Sequence, residues 1–128
     1  MKICMIGTGY VGLVSGACLA DLGNTVWCVD KNKQKINMLN NNKIPIFEPG
    51  LKELVSKNYT SGRLKFTTDL SLGVKNSDIV FICVGTPSSK KKNSTDLQYV
   101  FKAANEISKC INKFKIRFIW IFSEYLNG

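Results

Sequence analysis

A glycine-rich turn near the amino terminus constrains the fold more than any other part of the sequence. Its glycines, Gly7, Gly9 and Gly12, lie between an apolar run at residues 3–6 and an apolar, small-residue segment at residues 11–22. This order predicts a strand, a tight turn and a helix. Gly7 permits the sharp turn, Gly9 lets a pyrophosphate approach the backbone, and Gly12 lets the helix pack closely on the strand. The N–H groups and the dipole at the helix start then favour an anion.

Asp30 indicates which anion. It ends a second predicted strand, residues 25–30, and lies 18 residues after Gly12. An acidic side chain at about this distance hydrogen-bonds the adenosine ribose of NAD, and its charge would repel the 2′-phosphate of NADP. The alternative is that Asp30 only ends a strand and starts a turn. The complete unit of strand, glycine turn, helix, strand and aspartate favours NAD as the cofactor.

The composition is that of an ordinary globular domain. The 128 residues suffice for one domain, and 45% of them are hydrophobic. The apolar runs are far shorter than a membrane span of about 18 residues, and no signal-peptide pattern is present. We therefore expect a cytoplasmic protein without membrane contact. Four of the five cysteines lie in apolar runs and are expected in the core: Cys4, Cys18, Cys28 and Cys83.

The charged residues restrict the possible partners. Histidine is absent, so no zinc cluster and no metal site are expected. The net charge of +9 suits anionic ligands. The lysines are scattered and are not interleaved with aromatic residues, so nucleic-acid binding is not expected. The densest run, residues 90–92, is either a solvated loop, which we favour, or a phosphate-binding loop.

Two segments after Asp30 bear on the predicted site. Residues 32–40 form a short predicted helix capped by Asn32, which places Lys35 near Asp30. Lys35 then either contacts the adenosine ribose or phosphate, or is a surface lysine, and the sequence leaves both open. Residues 44–51 contain two prolines that stiffen the chain before another helix, and we expect Glu48 in this segment to be structural.

The remaining pattern completes an α/β sheet. A strand at residues 64–67 and a short helix ending at Val74 precede a fully apolar strand at residues 79–84, which is typical of a central parallel strand. Thr86 follows that strand at the carboxyl edge of the sheet, where ligands bind, and is expected to meet the dinucleotide. A long helix starts at Ser94 or Thr95, and a buried strand is predicted at residues 116–122. The residues of the long helix expected to face the core are Leu97, Val100, Phe101, Ala104, Ile107 and Ile111.

These elements predict a Rossmann-type, doubly wound parallel sheet that is incomplete at its carboxyl terminus. Residues 1–122 form the predicted NAD-binding domain, and residues 123–128 form a divergent tail.

Several blocks of residues resemble the nucleotide-sugar dehydrogenases, in particular UDP-glucose 6-dehydrogenases. The resemblance covers roughly residues 1–115. Its blocks are residues 1–3 running into GTGYVGLVSGACLADLGNTV, PIFEPGL at 45–51, GRLKFTTD at 62–69, and VGTP at 84–87 followed by TDL at 95–97. Four blocks in the family's order are more specific than the glycine motif alone.

The resemblance implies a fold and an activity. Members have two Rossmann-type domains joined by a long helix, and they are usually dimers or larger assemblies. They oxidise the C6 alcohol of UDP-glucose to UDP-glucuronate with two NAD, so the nucleotide sugar is a partner of the complete enzyme. The implied NAD contacts are Gly7, Gly9, Tyr10, Val11, Gly12, Asp30, Lys35 and Thr86.

The resemblance also implies that the chemistry lies elsewhere. The family's nucleophilic cysteine, its oxyanion-stabilising lysine and asparagine, and the aspartate that assists water have no counterpart here, so no catalytic residue is predicted. Cys110 is expected to be a helix-face residue. The family's Lys-Ser-Thr stretch and Pro-Val-Gly turn are replaced by WIFSEYLNG at residues 120–128. This change favours a truncated or frameshifted copy over a deliberate fragment with a foreign tail.

The leading hypothesis is therefore the NAD-binding part of a UDP-glucose 6-dehydrogenase, inactive alone. The alternatives are an NAD-sensing or subunit-association module, and a fragment of an enzyme acting on GDP-mannose or a UDP-N-acetylhexosamine.

Overall fold

The computed structural model of the protein describes residues 1–85, 97–111 and 118–121. Four expectations lie outside the described residues: the role of Thr86, the lysine run at residues 90–92, the start of the long helix at Ser94 or Thr95, and the tail at residues 123–128.

Strands and helices alternate as the sequence predicts. The strands are β1 (Lys2–Ile6), β2 (Thr25–Val29), β3 (Leu64–Thr67), β4 (Ile79–Ile82) and β5 (Phe118–Ile121). The helices are α1 (Tyr10–Asp21), α2 (Lys33–Asn40), α3 (Leu51–Thr60), α4 (Leu70–Lys75) and α5 (Gln98–Cys110). The predicted cap of α2 is confirmed, because the Asn32 side chain accepts a hydrogen bond of 3.1 Å from the Lys35 N–H.

The strands form one parallel sheet in the order β3-β2-β1-β4-β5. In its centre, Met5 of β1 is opposite Cys28 of β2 on one side and Phe81 of β4 on the other. The chain extends the sheet from β1 toward β3, then returns to the other side of β1 to add β4 and β5. The strand order therefore reverses beside β1, and in such sheets the ligand crevice opens at the carboxyl ends of the strands at this point. The predicted Rossmann-type doubly wound sheet is confirmed.

Alternating side chains of each strand build two separate cores. Ile3 and Met5 of β1 pack in a cluster with residues of α1, α2 and α3 on one face of the sheet. Cys4 and Ile6 pack in a second cluster with residues of α4 and α5 on the opposite face. Since successive side chains of a strand point to opposite faces, the apolar run of β1 supplies both cores.

The predicted core face of the long helix is partly wrong. Val100 and Ile107 are buried as expected, and Ala103 joins them. The other predicted core residues are exposed: Leu97, Phe101, Ala104 and Ile111. Both sets are apolar and recur three or four residues apart, so periodicity alone does not choose between them. The choice follows from tertiary packing, because the buried set joins the core cluster that contains Val80 and Ile82 of β4.

Cys18 is also misplaced by the sequence reasoning, since it is exposed on α1, whereas Cys4, Cys28 and Cys83 are buried as expected. The buried face of α1 is formed by Leu13, Gly16, Ala17 and Ala20, so Cys18 turns away from the sheet.

Strand β4 ends at Ile82 rather than at residue 84. On the β1 side the paired segment ends with Ile6 opposite Ile82, and β1 is followed by the turn at Gly7.

Candidate functional site

The glycine turn is held against the ends of two neighbouring strands. Gly7 has φ of +104°, a conformation that side chains rarely adopt, and its N–H donates a hydrogen bond of 2.7 Å to the Val29 carbonyl. A Cβ atom on Gly7 would lie 2.5 Å from the Cys83 carbonyl oxygen. A Cβ atom on Gly12 would collide with the Gly7 carbonyl group. Both positions need glycine because backbone, rather than a flexible side chain, occupies the space.

Gly9 stands at the start of α1. It caps α1 with φ of −73°, which any residue can adopt. The first hydrogen bond of the helix runs from the Leu13 N–H to the Gly9 carbonyl at 2.9 Å. The positive end of the α1 dipole therefore lies at Gly9. The local fold places an anion-binding helix start directly after the turn.

Asp30 lies beside the turn and is tied to it. Thr8, a fully buried residue, donates to Asp30 Oδ2 from its hydroxyl at 2.6 Å and from its N–H at 2.9 Å. The Asn32 N–H donates to Oδ1 at 2.9 Å. Burial raises the pKa of Asp30, but the hydrogen bonds from Thr8 and Asn32 and the charge of Lys35 together hold it below its ordinary value. The side chain is consequently a carboxylate at neutral pH.

A cleft of about 650 Å³ opens between the carboxyl ends of the strands and α5. Four predicted site residues line it: Gly7, Gly9, Asp30 and Lys35. Lys35 is half-buried, and its charge acts on Asp30, so the structure places it with the carboxylate rather than on a remote surface. The cleft has the volume range of small-molecule and cofactor sites.

The other predicted site residues are not among those lining the cleft. Gly12 is buried against the turn, and Val11 packs against the core on the α1 side of the sheet. Tyr10 is exposed, and its hydroxyl donates a hydrogen bond of 2.6 Å to Glu48 Oε2, which raises the pKa of Tyr10. This contact agrees with the structural role expected for Glu48. Thr86 lies outside the described residues.

Sequence reasoning missed several residues of the cleft. Thr8 stands between two glycines of the motif. The signal that the sequence offered was a polar side chain inside the glycine turn. Lys31 and Glu106 form an ion pair of 2.7 Å that joins the end of β2 to α5. Tyr99 and Lys102 of α5 also line the cleft, and nothing in the local sequence of α5 connects them to a motif 90 residues earlier.

Within residues 1–85, 97–111 and 118–121, no cluster of three or more His, Cys, Asp or Glu side chains is arranged to hold a metal ion. No helix there combines the length and the apolar character needed to cross a bilayer. Cys110 is half-buried against the α4 and α5 core, as expected for a helix-face residue.

Comparisons with known proteins agree with this geometry. The model of the UDP-glucose/GDP-mannose dehydrogenase family, NAD binding domain, matches residues 1–119. UDP-glucose 6-dehydrogenase of Rhizobium meliloti (strain 1021) is 56% identical over 116 residues, which are 91% of this chain and 26% of that protein.

Solved structures show the same similarity. GDP-mannose dehydrogenase of Pseudomonas aeruginosa, solved as a ternary complex, superposes with a TM-score of 0.89 at 42% identity, covering 100% of this chain and 29% of that one. UDP-N-acetyl-mannosamine dehydrogenase Cap5O of Staphylococcus aureus gives a TM-score of 0.87 at 33% identity, covering 98% of this chain. The chain spans only about a quarter of the length of such relatives. Since the family match extends over almost the whole sequence, and the cleft carries the glycine turn and aspartate of a dinucleotide site, the chain belongs to the UDP-glucose/GDP-mannose dehydrogenase family, of which it is an NAD-binding domain.

Proposed function

We propose that the cleft beside α5 binds NAD, with its adenosine ribose at Asp30 and its pyrophosphate at the start of α1. The observation that carries the assignment is the ionised Asp30 carboxylate, held by Thr8 at the rim of the cleft that the glycine turn lines. Residues 9–11 offer the start of the helix to the pyrophosphate, and Gly7 and Gly12 keep the turn close enough to the sheet. Lys35 adds a positive charge beside the ribose and phosphates.

Thr86 belongs to the same proposal. It follows Gly85, a residue of the cleft, and is assigned to the part of NAD that lies over the carboxyl end of β4. NAD rather than NADP is the proposed ligand because a carboxylate at the ribose repels a 2′-phosphate.

We further propose that the domain serves a UDP-glucose 6-dehydrogenase. NAD supplies the hydride acceptor for oxidation of the sugar alcohol, and the residues of this chain bind and orient it. The 56% identity to the Rhizobium meliloti enzyme supports UDP-glucose as the substrate. The similarity to the GDP-mannose and UDP-N-acetyl-mannosamine enzymes makes those nucleotide sugars the alternatives.

The proposal includes inactivity of the 128-residue chain by itself. The thiol of Cys110 faces the α4 and α5 core rather than the cleft, so it is not a nucleophile for a sugar aldehyde. We assign residues 1–122 to the NAD-binding domain and leave residues 123–128 without a role. The alternative function is an NAD-sensing or subunit-association module. Self-association of the chain without any role in catalysis would favour this alternative.

The test has two parts. Isothermal titration of the purified chain with NAD and with NADP should show saturable binding of NAD and much weaker binding of NADP. Equal affinity for both, or no NAD binding, would refute the assigned site. The chain is then incubated with NAD and, in turn, UDP-glucose, GDP-mannose and UDP-N-acetylmannosamine while NADH absorbance is followed. We expect no NADH from the chain alone, and steady turnover with any of the three sugars would disprove the claim of inactivity. Light scattering after size-exclusion chromatography measures self-association in the same samples.

A further inference from the structure

Thr8 joins the glycine turn to the end of β2. Its side chain is fully buried, although it stands between two glycines at the rim of a cleft. Both of its donors reach the same atom, Asp30 Oδ2, across 22 positions of sequence: the hydroxyl at 2.6 Å and the N–H at 2.9 Å. Because the Thr8 N–H is used in this way, it contributes to Asp30 rather than to an anion in the turn.

The hydrogen bonds to Asp30 occupy most of the acceptor positions of its carboxylate. An ionised carboxylate offers about four acceptor positions. Oδ2 accepts the two donors of Thr8, and Oδ1 accepts the Asn32 N–H at 2.9 Å. About one acceptor position therefore remains, and it lies on Oδ1. The side chain cannot rotate to present Oδ2 without giving up two hydrogen bonds, so its orientation is fixed before any ligand arrives.

We propose that Thr8 is a positioning residue of the cofactor site, which clamps Oδ2 of Asp30 so that Oδ1 is presented to a ribose hydroxyl. The proposal rests on the proposed NAD site and adds to it a residue that touches the aspartate instead of the cofactor. A carboxylate that is already oriented loses less conformational freedom when NAD binds, which strengthens binding.

The same clamp also influences the titration of Asp30. The Thr8 hydroxyl bond is the largest of the contributions that lower the pKa of Asp30, and it opposes the effect of burial. Among the described residues, the other charged groups that line the cleft are Lys31, Lys35, Lys102 and Glu106. None of them changes when Thr8 is substituted, so a change in the titration of Asp30 would report on the clamp.

The test compares Thr8→Val, which removes the hydroxyl at nearly constant shape, with Thr8→Ser, which keeps it. At neutral pH we expect Thr8→Val to weaken NAD affinity about tenfold, and Thr8→Ser to remain within about twofold of the wild type. Thr25→Val is the matched control, because Thr25 begins β2, the strand that precedes Asp30, at the end away from the cleft. Its NAD affinity should equal that of the wild type. Thermal unfolding checks that each variant is folded, and Thr8→Ala carries the same expectation if Thr8→Val does not fold.

A pH profile separates positioning from a loss of local structure. NAD affinity should fall as pH falls through the pKa of Asp30, and this fall should occur at higher pH in Thr8→Val than in the wild type. The carboxyl carbon of Asp30, followed by NMR in the free protein, should titrate with the same displacement. Wild-type affinity and titration in Thr8→Val would overturn the inference while leaving the NAD site intact. Absence of NAD binding by the wild type would overturn both.

Discussion

Replacing Asp30 with alanine should lower stability and NAD affinity by separate physical routes. The substitution removes the acceptor of the Thr8 hydroxyl and of the Thr8 N–H, both of which belong to a fully buried residue. A buried donor left without an acceptor costs about 1 to 3 kcal/mol. Asp30 itself is only half-buried, so water can partly replace the carboxylate, and the lower end of the range applies to each donor. The expected loss is about 2 kcal/mol in the free energy of unfolding, or roughly 8 °C in the unfolding temperature.

The loss of affinity comes from the ribose. A hydrogen bond to a charged group contributes about 1 to 3 kcal/mol. Its loss should increase the dissociation constant of NAD roughly 5- to 150-fold. NADP should lose less than NAD, because the same substitution removes the charge that repels its 2′-phosphate. The ratio of the two affinities should therefore move toward one.

Asp21→Ala is the matched control for this experiment. Asp21 likewise accepts hydrogen bonds, from Asn58 Nδ2 at 3.1 Å and from Lys57 Nζ at 3.1 Å, but it lies at the carboxyl end of α1, away from the cleft. We expect lower stability with unchanged NAD affinity. Calorimetric titration of the wild type and both variants measures NAD affinity, and thermal unfolding measures their stability. If Asp30→Ala bound NAD as tightly as Asp21→Ala does, the ribose would lie elsewhere and the reasoning would be refuted.

Three further substitution or labelling experiments test other parts of the structure. Gly9→Val should abolish NAD binding with little change in unfolding temperature, because φ of −73° suits valine while the side chain fills the anion site; normal binding would contradict the assignment of the turn. Ile107→Ala should cost about 3 kcal/mol in denaturant unfolding, whereas Phe101→Ala should cost no more than about 0.5 kcal/mol. A cost for Phe101→Ala similar to that for Ile107→Ala would return Phe101 to the core, as predicted from sequence. A thiol reagent should label exposed Cys18 in the native protein but not buried Cys4. Burial and, secondarily, the nearby Cys83 raise the pKa of Cys4 to about 12, so its thiol is unreactive. Equal labelling of the two cysteines in peptide mapping would refute this.

Local sequence was sufficient for the parts of this protein that depend on backbone geometry and strand burial. Gly7 must be glycine because its φ is +104°, and a short turn between an apolar strand and a helix carries that requirement in its own residues. The apolar run of β4 predicted a central parallel strand because both faces of such a strand are covered. The spacing of Asp30 from the turn predicted a ribose partner because the length of one βαβ unit fixes that distance.

Tertiary structure decided which of several equivalent local patterns is used. Helix α5 carries two apolar stripes, and the one with Val100, Ala103 and Ile107 is buried in the core cluster beneath the sheet. The clamp between Thr8 and Asp30 and the ion pair between Lys31 and Glu106 join residues 22 and 75 positions apart. Such contacts follow from strand order rather than from neighbouring residues. Sequence periodicity reports which faces can be buried, but the free energy of packing one element on another determines which face is buried.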